Sequence, residues 1–174
     1  LNLVQYFGGE PVSCSACMRK GGRPVAKADV VEGGEGLGLL AGDELHARFR
    51  MGGGVTAYFD SIANDGSGGK GFGLQLIGSE GIIKIQCDRD PVAHVRAGNP
   101  FDPSRQKSWV PVTTAGPGEP ESRPELIVEV QNHVVAVRDL IAACGEGREP
   151  MCNAREGALT VEMVCAVFES YRLN

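Results

Sequence analysis

Pro124 to Asn174 reads PELIVEVQNHVVAVRDLIAACGEGREPMCNAREGALTVEMVCAVFESYRLN, and this stretch decides the fold class. Leu126 or Ile127, Val130, Val134, Val137 and Ile141 recur at the spacing of one helix face, so one helix is predicted from about Pro124 to Cys144. A Gly-rich break follows. A second helix is predicted from about Asn153 to Leu173, with Leu159, Met163, Ala166 or Val167, and Ser170 or Tyr171 on its apolar face. Asn153 followed by Glu156 has the spacing of a capping box, with Asn in place of Ser or Thr. Strands first and helices after them imply an α+β layer, an open-faced and mostly antiparallel sheet with helices packed on one face.

The strands are read upstream of these helices. Leu1 to Phe7 is the end of a helix, stopped at Gly8-Gly9. Pro11 to Lys20 alternates Val12, Cys14, Ala16 and Met18 against polar partners, and Val25 to Val31 is a weaker strand. Glu32 to Gly42 is a Gly-rich connector. Asp43 to Met51 places Leu45, Ala47, Phe49 and Met51 on one face and Glu44, His46, Arg48 and Arg50 on the other. Gly52-Gly53-Gly54 turns the chain, and Val55 to Ala63 returns as a hairpin. Asn64 to Gly69 is a loop. Phe72 to Ile77 and Ile82 to Cys87 form a second hairpin around Gly78-Ser79-Glu80-Gly81, and Val92 to Ala97 is a further strand. Gly98 to Glu125 is proline-rich, with only Trp109-Val110-Pro111-Val112 strand-like, and reads as a long surface excursion.

With 174 residues, 42% of them apolar, the chain is long enough for one domain with a real core. The net charge is -5 and no basic stripe is present, which argues against a nucleic-acid binder. No apolar run approaches the roughly 20 residues of a membrane helix. Six cysteines lack the density of a disulfide framework and imply a cytoplasmic-type protein. Leu1 stands where a Met would start a gene product, so a targeting segment is not readable.

Several motifs mislead. Cys14-Ser-Ala-Cys17 lies in a strand, which sends residues three apart to opposite faces, and no second pair completes a zinc set. Gly66-Ser67-Gly68-Gly69-Lys70-Gly71 and Gly36-Leu37-Gly38-Leu39-Leu40-Ala41 match the dinucleotide fingerprint in letters only. A strand follows each, where the pyrophosphate needs a helix N-terminus. His46, His94 and His133 have no metal-ligand spacing and read as surface or structural histidines. The residues alone give no acid–base set.

Four segments carry a family likeness. They are LNLVQYFGGEPVS (1–13), GLLAGDELHARFRMGGGVTAYFDS (38–61), GFGLQLIGSEGIIKI (71–85) and REPMCNAREGALTVEMVCAVFESYR (148–172). In this order they resemble the C-terminal domain of the Gfo/Idh/MocA family of NAD(P)-dependent oxidoreductases, which includes glucose-fructose oxidoreductase and inositol dehydrogenase. The resemblance implies a substrate and oligomerisation domain acting on a sugar, cyclitol or related polyol. The cofactor, NAD or NADP, would be held by an N-terminal domain outside this chain. The family's Glu-Lys-Pro lysine and its catalytic histidine would also lie upstream, so no catalytic, cofactor-binding or metal residue is expected here. The family's last strand would fall after Asn174.

Two positions stand as candidate substrate contacts. Asn2 falls where many members carry an Asp and, being an amide, would orient rather than act as a base. Lys70 precedes the second hairpin, near a polar substrate contact of the family. Trp109 reads as packing a loop onto the sheet. The expected partners are a small sugar-like molecule and further copies of the chain, in a homodimer or homotetramer joined through an apolar sheet face. The other reading is a freestanding, non-catalytic binding or assembly module.

Overall fold

The structure is a computed structural model and describes residues 1–34, 36, 38–63, 71–87, 91–102, 104, 107–130 and 132–173. In chain order the elements are α1 (Asn2–Gly8), β1 (Pro11–Lys20), β2 (Arg23–Pro24), a 3-10 turn (Lys27–Asp29), β3 (Val31–Glu32), β4 (Leu39–Leu40), β5 (Glu44–Met51) and β6 (Thr56–Ile62). They continue with β7 (Gly73–Gly78), β8 (Gly81–Gln86), β9 (Val92–Ala97), β10 (Val110–Thr113), β11 (Gly116–Pro117), α2 (Glu125–Val130), α3 (Val134–Glu146) and α4 (Ala154–Leu173). The paired strands are antiparallel throughout, and the class is α+β as read from the sequence. Contacts divide the chain into two compact units, Leu1–Asp65 with Cys152–Asn174, and Gly66–Met151.

The first unit is built on a four-stranded sheet in the order β2-β1-β5-β6. Alternation along β5 buries Ala47, Phe49 and Met51 and leaves Arg48 and Arg50 exposed. Opposite them in β1, Ala16 and Met18 are buried, with Ala16 facing Ala47 and Cys14 facing Phe49. The alternation in β1 fails at Val12. A register shift between Pro11 and Ser13 turns that side chain out, and it is 53% exposed.

Helix α4 covers the apolar face of this sheet. Met163 and Val167 are its buried residues, and Phe49, Met51 and Met163 are the largest fully buried side chains. Ser170 Oγ accepts the Ala16 N–H at 3.0 Å, and the Tyr171 hydroxyl donates to the Val25 carbonyl at 2.8 Å. The helix starts as its sequence dictates. Asn153 Oδ1 accepts the Glu156 N–H at 3.0 Å, while Glu156 Oε2 accepts the Asn153 N–H at 3.2 Å. At the other end of the unit, α1 closes at Gly9, whose φ of 81° lets its N–H reach the Gln5 carbonyl.

Two connectors differ from their sequence reading. Val25 to Val31 is not one strand. The Asp29 carboxylate accepts the Ala26 N–H at 2.7 Å and binds Arg23 through two hydrogen bonds of 2.6 and 2.7 Å, which winds Lys27–Asp29 into a 3-10 turn. The Gly-rich connector holds a small ribbon, with Val31 opposite Leu40 and Glu32 opposite Leu39. Gly42 has no room for a side chain. Its φ is 85°, and a Cβ there would stand 2.8 Å from the Arg19 carbonyl oxygen.

The second unit carries a five-stranded sheet in the order β11-β10-β9-β8-β7. The second hairpin is as read, with Gly78 opposite Gly81. Gly98 to Glu125 is more ordered than its prolines imply, because Val110–Thr113 pairs with β9 and with β11, extending the sheet by two strands. The predicted helix from Pro124 to Cys144 is two helices, α2 and α3. The Asn132 N–H reaches back only to the Glu129 carbonyl, and α3 restarts from His133. Ile127, Val128, Val130, Val134, Val135 and Val137 crowd this stretch with β-branched side chains, which lowers its helix propensity.

Candidate functional site

Asn2 is exposed in the first turn of α1. The same helix buries Gln5, whose side-chain oxygen accepts the Thr160 hydroxyl of α4 at 3.1 Å. This contact fixes the start of α1 against α4 and so fixes where Asn2 stands. Lys70, the other position singled out, lies outside the described residues, as do residues 64–69 of the loop and most of the first Gly-rich match. In the second match, Leu39–Leu40 is a strand, so the helix N-terminus that a dinucleotide needs does not follow. The second match therefore lacks the helix start that a nicotinamide cofactor's pyrophosphate needs.

The open face of the first sheet is polar and arranged in rows. Across β1, β5 and β6 run Ser13, Arg50 and Thr56, then Ser15, Arg48 and Tyr58, then Cys17, His46 and Asp60. His46 is the most engaged of these. Its Nδ1 lies 2.6 Å from Asp60 and its Nε2 2.7 Å from Glu44. Hydrogen bonds from Asp60 and then Glu44 raise its pKa above the ordinary histidine value. Both ring nitrogens are occupied, so His46 ties the Asp60 and Glu44 carboxylates together across the sheet and does not present a free ring nitrogen. Reading Glu44 and His46 onto one strand face brought out half of this cluster. Asp60 needed the β5–β6 register.

Cys14 and Cys17 part as the strand geometry demands, Cys14 beside Phe49 and Cys17 beside His46. Burial pushes the Cys14 thiol up in pKa, which keeps it protonated and unreactive. Cys14 also lines a shallow notch of about 150 Å³ between β1 and α4, with Phe49, Met163, Ala166 and Glu162. One carboxylate among apolar groups is not an acid–base pair. Among the described residues, no group of His, Cys, Asp and Glu side chains is placed to hold a metal ion.

The sheet of the second unit has two contrasting faces. Leu74, Leu76, Ile83, Ile85, Ala93, Val95, Val110 and Val112 share one. The other is mixed: Gln75, Lys84 and His94 form one row, Gln86 lies opposite Val92 in one flanking row, and Arg96 lies opposite Ile82, itself opposite Ile77, in the other, where Ile82 is buried. Trp109 packs onto this sheet as expected, with the Arg96 guanidinium 5.0 Å from its ring centroid.

No protein-family model matches the sequence, and no curated protein matches it. Solved structures do share the fold. The aldose-aldose oxidoreductase of Caulobacter crescentus, crystallised with glycerol, superposes over 98% of this chain and 42% of its own, with a TM-score of 0.61 and 18% identity. The WlbA dehydrogenase of Bordetella pertussis, in complex with NADH and UDP-GlcNAcA, covers 98% and 42% with a TM-score of 0.57 and 17% identity. The WlbA dehydrogenase of Chromobacterium violaceum, with the same two ligands, covers 98% and 41% with a TM-score of 0.54 and 15% identity. The likeness at these identities is one of fold. It agrees with the resemblance carried by the four segments, since these are oxidoreductases of the Gfo/Idh/MocA type. The chain spans about two fifths of the length of each. No helix among the described residues is long and apolar enough to cross a membrane.

Proposed function

We propose that this chain is the substrate and oligomerisation domain of an NAD(P)-dependent oxidoreductase acting on a sugar, cyclitol or related polyol. The observation that carries the reading is a fold shared over 98% of the chain with three oxidoreductases, of which it spans about two fifths. The NAD or NADP would sit on a separate nucleotide-binding domain, and in support a strand, not a helix, follows the second Gly-rich match. The chain's own part would be to wall the substrate cleft, with Asn2 and Lys70 as contacts, and to join copies. Hydride transfer would occur between a substrate carbon and the nicotinamide bound beside it. The test is a fluorescence titration of the natural full-length protein with NADH and NADPH. Saturable binding of either is expected, and binding of neither overturns the reading in favour of a freestanding binding module.

The oligomer part of the reading draws on the second sheet. In the first, α4 already covers the apolar face, so the expectation of an exposed apolar face does not hold there. In the second, eight apolar side chains share one face, and Ile83 and Val112 are 40% and 36% exposed. A face of this kind favours association of copies into a homodimer or homotetramer. Sedimentation should show an oligomer that Ile83→Glu shifts to monomer. A wild-type monomer at all concentrations would count against it.

A further inference from the structure

We draw no further inference here: the strongest candidate, the outer face of α4, where Val161, Val164 and Phe168 are exposed at helical spacing, carries nothing, because nothing in the structure shows what covers it.

Discussion

His46 faces Asp60 directly across the β5–β6 pair, and its Nδ1 lies 2.6 Å from the carboxylate while Nε2 is held by Glu44. The two hydrogen bonds favour the protonated ring and raise its pKa above the unfolded value of about 6.5. A raised pKa contributes stability that is fully present below the unfolded value and is lost as pH rises through the folded one. His46→Gln should therefore lower the urea midpoint more at about pH 6 than at about pH 9. An NMR titration should place the His46 ring above the ordinary histidine value. Equal losses at both pH values would contradict this account.

Asp29 has the opposite sign. The Arg23 fork and the Ala26 N–H lower its pKa to about 2 from 3.8. Its contribution is present above the unfolded value and is lost as pH falls through the folded one, a window from about 4 down to about 2. Asp29→Asn should be destabilising at neutral pH and neutral in effect at the acid end of that window. Denaturation midpoints of the two proteins across the window give the answer.

Phe49 is fully buried between β1 and α4, so truncation leaves a hole that its neighbours cannot fill. Phe49→Ala should cost about 3–5 kcal/mol, a large share of the stability of a small domain. Urea denaturation followed by circular dichroism measures it. A cost below about 1 kcal/mol would mean that α4 does not pack on this sheet.

The reciprocal cap of α4 is testable by a double-mutant cycle. Asn153→Ala should cost about 1 kcal/mol, because it orphans the Glu156 N–H at the helix start. Glu156→Ala should cost less, and the two should combine to less than their sum, because each side chain serves the other's backbone. Strict additivity would show that the box contributes nothing as a unit.

The sequence carried much of the fold because the signals were local. Alternation in Asp43 to Met51, the glycines of two hairpins and the Asn153 cap each report on neighbours within a few residues. What escaped was set at longer range or masked by a single side chain. Val12 obeys the alternation but is turned out by a bulge. Pro111 and Pro117 disguised β10 and β11, which exist because β9 offers an edge to pair with. One apolar stripe from Pro124 to Cys144 concealed a break at Asn132 and His133. For the sites, only register shows that Asp60 completes the His46 cluster, or that Lys84, His94 and Arg96 share a face. The charges were legible, but their neighbours were not.

The central claim is that this chain supplies the substrate side of a nicotinamide-dependent enzyme. The most direct measurement is reduction of NAD or NADP by the natural full-length protein with a panel of aldoses, polyols and sugar acids, repeated after deletion of the residues of this chain. The account expects turnover with at least one member of the panel, and a deletion protein that still binds NADH but no longer turns over. Absence of reduction with every sugar, or turnover that survives the deletion, would contradict it.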